Sequence, residues 1–147
     1  MPRKLERMLV AVNGSPLDAE VVALSIHLAR RDKAKVFVIY VIEVKRTLPL
    51  EATIEEEVVK GEAILDNAES VAESLGYQVE TELLQAREAG PTIVDEAESR
   101  NVDMIVLGLP YKKRFGEFDI GRTVPYVLKN ARCQVVLWRE PLDRQAR

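Results

Sequence analysis

Lys35-Val-Phe-Val-Ile-Tyr-Val-Ile42 decides the fold. After its first residue the run is apolar without a break and rich in β-branched side chains. That is the composition of a central strand covered on both faces, since a strand with one wet side would alternate. Upstream, Met8-Leu-Val-Ala-Val12 is a shorter run of the same kind, ending at Asn13-Gly14. Between the two, Ser15-Pro16-Leu17-Asp18 has the residues of a helix start: serine as N-cap, proline at the first helical position and an acid three residues after the cap. Leu17, Val21, Leu24 and Leu28 then recur at helical spacing, with a second stripe of Val22, Ile26 and Ala29 on the far side. Two apolar sides predict burial against a neighbouring helix or another subunit.

Downstream of the decisive strand, Lys45 to Leu50 reads as a loop. From about Glu51 to Leu75, Ile54, Val58, Leu65, Ala68, Ala72 and Leu75 recur at helical spacing, and Gly76 stands where a helix end takes a left-handed residue. Tyr77-Gln-Val-Glu-Thr-Glu-Leu83 alternates apolar and polar, which predicts a strand with a wetter face at a sheet edge. Gly90-Pro91 opens a helix carrying Ile93, Val94 and Ala97 that stops near Asn101. Met104 to Leu107 is the fourth strand; Val124, Val127, Leu128 and Ala131 mark the last helix, with Pro125 in its first turn; Gln134 to Trp138 is the fifth strand. Five strands alternating with four helices imply right-handed βαβ units and a parallel sheet between helical layers.

The totals bound the answer. The 147 residues suit one domain with a sizeable core, read here as about 7–139 with a polar tail over 140–147. A net charge of −3 argues against a nucleic-acid partner recognised through its phosphates. The single cysteine, Cys133, allows no intrachain disulfide and points to a reducing, cytoplasmic setting. No apolar run approaches the ~20 residues of a bilayer span, so no membrane partner is expected.

In an open doubly wound sheet, ligands bind beyond the carboxyl ends of the strands where strand order reverses. For the common orders 2-1-3-4-5 and 3-2-1-4-5, the reversal lies beside the first strand. Asn13-Gly14 and the residues from Gly108 meet there, flanked by Val41-Ile42 at the end of the second strand. The connection from Gly108 through Gly116 and Gly121 to Arg122-Thr123 is long, holds three glycines and four basic residues, and leads into a helix whose free N–H groups suit an anion. Other chemistries on this architecture lack their residues. A phosphoacceptor site needs adjacent acids where Asn13-Gly14 stands, a Walker A loop needs a lysine and a hydroxyl after its glycines, and no G-x-G-x-x-G follows any strand. One histidine and one cysteine give no metal-ligand spacing.

With its first strand ending in Val-Asn-Gly-Ser, its Gly-Pro helix start and the Gly108–Gly121 loop, the chain resembles the universal stress protein family from about Leu9 to Trp138. In nucleotide-binding members of that family, a loop of glycine, two residues, glycine, nine residues, glycine and a serine or threonine holds the phosphates of ATP or AMP. The acid closing strand one and the backbone ending strand two hold the adenosine. Carried over by position, Gly108 and Gly121 match the first and third glycines. Tyr111 stands at the second glycine and Arg122 at the hydroxyl residue, with Thr123 directly after. Asn13 replaces the usual aspartate, Gly14 follows it, and Val41 falls near the adenine contact. A Cβ and a ring at Tyr111 crowd a place where backbone meets phosphate, while Arg122 brings bulk with a charge suited to it. The resemblance therefore implies ATP or AMP as a possible ligand but a degenerate cradle for it, closer to members that act through partners without nucleotide. It also implies a non-enzymatic regulator, and no nucleophile–base pair contradicts that; the alternative it leaves is an adenine-nucleotide sensor using the Gly108–Gly121 loop, with at most slow ATP hydrolysis.

The expected architecture is one α/β domain, an open doubly wound five-stranded parallel sheet of order 3-2-1-4-5 with helices on both faces. The last strand is then an edge, and an apolar edge invites pairing. Members of the family commonly dimerise there, so a homodimer is expected with Val135, Leu137 or Trp138 at the contact; no protein partner is named by the sequence. His27 reads as a packing or surface residue, Cys133 as a small buried one, Lys112-Lys-Arg114 as a solvated loop, and Glu55-Glu-Glu57 as acids at the positive end of a helix.

Overall fold

The computed structural model describes residues 4–142, so residues 143–147 of the expected polar tail lie outside the described residues. Along the chain come β1 (Arg7–Ala11), α1 (Asp18–Arg30), β2 (Lys35–Glu43), α2 (Glu55–Ser74), β3 (Glu80–Ala86), α3 (Ala89–Ser99) and β4 (Met104–Leu109). Two short strands follow, β5 (Lys113–Arg114) and β6 (Glu117–Phe118), then α4 (Thr123–Asn130) and β7 (Gln134–Arg139). The main sheet is five-stranded, in the order β3-β2-β1-β4-β7, and every pair in it is parallel. This is the expected 3-2-1-4-5 arrangement, with the short pair β5–β6 inserted ahead of its last strand.

The decisive stretch behaves as a central strand must. Val36, Val38, Tyr40 and Ile42 of β2 enter the core under α1 and α2, with Val22, Ile26, Leu65 and Ala68. Phe37 and Ile39 enter the core under α3 and α4, with Ile93, Val94, Val124 and Val127. At ~25 cal/mol per Å² of apolar surface removed from water, these two layers supply the main drive for folding.

Boundaries moved where side chains do unexpected work. α1 starts at Asp18, two residues beyond the expected first helical position at Pro16. Leu17 takes the N-cap position with no side-chain cap, so the serine does not cap; its Oγ accepts the Leu17 N–H at 3.3 Å in a local turn, while the Asp18 carboxylate reaches back to the N–H groups of Asn13 (3.1 Å) and Gly14 (2.8 Å). The buried stripe of α1 is Val21, Val22, Ser25, Ile26 and Ala29; Leu24 and Leu28 are only half-buried, and His27 is exposed. α2 begins at Glu55, and it ends as expected, with Gly76 at φ +70°. β3 runs three residues later than the alternation suggested, and Tyr77 ahead of it donates its hydroxyl to the Ala34 carbonyl. β3 pairs only with β2, and β7 only with β4, so these are the sheet edges.

The Gly108–Gly121 connection is not the plain loop that was expected. β5 and β6 form an antiparallel hairpin, Lys113 opposite Phe118 and Arg114 opposite Glu117, turned by Phe115 (φ +55°) and Gly116 (φ +80°). Two successive positive φ angles are the signature of a two-residue primed turn, whose twist matches that of the strands it joins. Among the described residues no helix is long and apolar enough to cross a membrane.

Candidate functional site

At the carboxyl end of the sheet, where order reverses between β1 and β4, lies a cleft of about 710 Å³. Asn13, Gly14, Val41, Gly108, Gly121, Arg122 and Thr123 all line it. The topology assembles them: β1 and β4 are adjacent, β2 flanks β1, and the start of α4 lines the same cleft as the end of β4. Tyr111 does not line the cleft. Its ring stacks on Phe118 with centroids 4.7 Å apart, the Arg139 guanidinium lies 5.7 Å from that ring, and its N–H donates to Glu140 Oε1 at 3.1 Å. The expected obstruction by a tyrosine at the second glycine position is therefore replaced by an aromatic stack at the root of the hairpin.

Asn13 is held by both ends of its amide. Oδ1 accepts the Ser15 N–H at 3.0 Å, and Nδ2 lies 3.5 Å from the Gly108 carbonyl across the strand ends. An aspartate could accept the first bond but could not donate the second. Just beneath, the buried Asp18 carboxyl is pushed up from its ordinary value by burial, against the pull of the Asn13 and Gly14 N–H groups. The Tyr40 hydroxyl is pushed up as well, first by burial and then by the charges of Glu57, Asp18 and Glu43.

Gly108 has a different purpose from the one its sequence position suggested. A Cβ built there would lie 2.6 Å from Val21 Cγ2, so the missing side chain makes room for α1. Gly121, at φ +74°, has nothing within 4 Å of a built Cβ and so faces open space. Its N–H donates to Asp119 Oδ1 at 3.1 Å. Arg122 is mostly exposed and pairs with Glu88 at 3.5 Å, beside the start of α3; the neighbouring Ala89 N–H is capped at 2.9 Å by Glu43 Oε2 from β2.

Tyr40, Glu57 and Lys60 line the cleft and escaped the sequence reading, and Lys112 and Asp119 of the loop line it beside them. Asp119-Ile-Gly121 carried a usable signal, an acid two residues before a glycine, which is an Asx-turn pattern. Glu57 and Lys60, three apart in the first turns of α2, carried only the general one that such residues share a helix face. Of the Lys112-Lys113-Arg114 run, only Lys112 reaches the cleft. Cys133 is half-buried rather than buried, and burial pushes its thiol up, away from reactivity. Val135, Leu137 and Trp138 lie half-buried on the edge strand β7, and the buried Trp138 Nε1 has no hydrogen-bond partner among the described residues. No group of three His, Cys, Asp or Glu side chains among the described residues could hold a metal ion.

The chain is 30% identical over 142 residues to universal stress protein MJ0531 of Methanocaldococcus jannaschii, covering 92% of this chain and 83% of that protein. Its fold is similar to that of the universal stress protein from Archaeoglobus fulgidus solved in complex with dAMP, with a TM-score of 0.72 and 23% identity over 92% of this chain and 98% of the other. It is similar again to an Arabidopsis thaliana universal stress protein family protein solved with AMP bound, with a TM-score of 0.68 and 16% identity over 95% and 94% of the two chains. The model of the universal stress protein family matches residues 4–139, and with that match this chain belongs to the universal stress protein family.

Proposed function

We propose that this protein is a cytoplasmic stress-response regulator that works as a homodimer through partner or ligand binding, without catalysis and without tight ATP binding in the mode familiar from nucleotide-binding members of its family. Asp119 carries the reading. Its carboxylate already occupies the Gly121 N–H at the approach to α4, the donor a phosphate would seek. Around it the ionisable lining of the cleft balances, Glu43, Glu57 and Asp119 against Lys60, Lys112 and Arg122, so no net positive field awaits a polyphosphate. Titration calorimetry with ATP should give a Kd weaker than about 100 μM. Asp119→Asn should tighten ATP binding about tenfold, a gain of ~1.4 kcal/mol from removing one like charge. A submicromolar Kd for the unaltered protein, or no gain on substitution, would overturn the reading.

A second reading, an adenine mononucleotide sensor, draws support from the relatives solved with dAMP and with AMP. The cleft volume, about 710 Å³, also lies within the ~300–1,000 Å³ of small-molecule sites. Low-micromolar binding of AMP but not ATP in the same titration would select it.

A further inference from the structure

The cleft straddles the ends of β1 and β2. Tyr40 belongs to the core layer under α1 and α2, and Val41 to the layer under α3 and α4, yet both line the same opening. On the Tyr40 side, α2 is pressed onto the sheet. A Cβ built at Gly61 would lie 2.5 Å from Leu83 Cδ1 and 3.1 Å from the Tyr40 ring, and one built at Gly14 would lie 3.0 Å from Ile64 Cδ1. These two close approaches fix the helix against the strand ends, and the turn leading to Gly61 brings Glu57 and Lys60 into the cleft wall.

Tyr40 is only 9% exposed, and its hydroxyl has no hydrogen-bond partner among the described residues. Burial first, and then the charges of Glu57, Asp18 and Glu43, hold the proton on that hydroxyl. Two of these carboxylates are already engaged, Asp18 by the Asn13 and Gly14 N–H groups and Glu43 by the Ala89 N–H. Half-buried Glu57 takes part in no ion pair or hydrogen bond among the described residues, and neither does Lys60. Opposite charges three apart on a helix are neighbours, ~5–6 Å between Cβ atoms, and readily pair. Here they stay apart on the cleft wall. A buried hydroxyl without a partner costs free energy until something bonds to it. Toward α3 and α4 the wall changes character: Val41, Ala89 and Ile120 line it with apolar surface that is still partly exposed.

We propose that the cleft takes a free α-amino acid with an aliphatic side chain. Its ammonium group pairs with Glu57 and donates to the Tyr40 hydroxyl oxygen. Its carboxylate meets Lys60 and accepts the Tyr40 proton, and its hydrocarbon chain crosses the strand ends to Val41, Ala89 and Ile120. A simple amine would leave Lys60 unanswered, and a simple carboxylate would leave Glu57 so. A phosphate would bring more negative charge to a wall that already holds three carboxylates. The inference rests on the ligand-binding reading of the cleft and needs no dimer.

The probe is L-leucine, titrated calorimetrically beside isoamylamine, which lacks its carboxylate, and isocaproate, which lacks its ammonium group. Leucine should bind with a Kd below about 1 mM, and each analogue about tenfold more weakly, because each leaves one charge of the site unpaired. Glu57→Gln should weaken leucine about tenfold and close its gap with isocaproate, and Lys60→Met should close its gap with isoamylamine. Tyr40→Phe should weaken leucine and leave its melting temperature response to AMP unchanged. Glu62→Gln, on the exposed face of α2, should leave all three titrations as they were. No heat from leucine at about 10 mM, with AMP still binding, overturns the inference and leaves the ligand reading standing. No binding of leucine, AMP or ATP overturns both and leaves the cleft to a protein partner. Equal affinity for leucine and either analogue, unchanged affinity in Glu57→Gln, or an equal loss in Glu62→Gln also overturns it.

Discussion

Gly108 and Asp18 show how closely single residues around the cleft are constrained. A methyl group at Gly108 would meet Val21 Cγ2, part of a stiff β-branched side chain that cannot swing aside. Gly108→Ala should destabilise the fold by about 1–3 kcal/mol through overpacking, read as a lower urea midpoint with an unchanged slope. Asp18 gives a pH signature. Its folded pKa lies above the ordinary 3.8, so its contribution to stability is fully present below that value and is lost as pH rises through the folded pKa. The stability of the unaltered protein relative to Asp18→Asn should therefore be greatest near pH 3.5 and shrink toward pH 7; a constant difference across that range would refute the assignment. Neither role was open to sequence inspection. The glycine looked like a phosphate contact because of its spacing, and only the crossing of α1 over β4 reveals the steric reason. The serine at position 15 looked sufficient as a cap, and nothing local shows that Asp18 points back at Asn13 and Gly14.

Among the elements, the long apolar strands were legible and the hairpin was not. β1, β2, β4 and β7 each give a run of apolar residues, whereas β5 and β6 have two residues apiece, too few for any period to register. Their turn is Phe115-Gly116, without the Asn-Gly or Asp-Gly pair that announces a primed turn. Phe115→Asn should stabilise the hairpin by up to about 1 kcal/mol by easing the left-handed backbone at the turn. Thermal melts of a dilute, dissociated sample should show Phe115→Asn at least as stable as the unaltered chain. Tyr111→Ala should cost about 0.5–1.5 kcal/mol from the lost stack on Phe118, beyond its loss of buried area. Measured in a double-mutant cycle with Phe118→Ala, the two losses should prove strongly non-additive.

At the scale of the whole molecule, the sheet order placed the cleft before any side chain was considered. Putting the first strand at the centre forces the chain to reverse direction beside it, and the ends of β1, β2 and β4 then converge with the start of α4. That convergence was readable from strand–helix alternation alone, whereas the charge balance of the cleft was not, because Glu57 and Lys60 come from a helix whose rotation depends on packing. β7 as a bare edge leads to a dimer prediction at this scale. Light scattering at micromolar concentration should report twice the 16.6 kDa chain mass, and Leu137→Lys, placing a charge on that edge, should halve it.

The central place of β1 also sets the order of events during synthesis. β1 is made first and pairs with β2 along Arg7–Ala11, but its other side stays bare until Met104–Leu107 have been made. At ~5–20 residues per second, the nascent chain carries that open apolar edge for several seconds after β2 is complete. Premature release in this interval would free a half-sheet able to pair with others of its kind. The final strand to emerge, β7, closes β4 on its outer side, and only then does the growing chain hold a finished sheet.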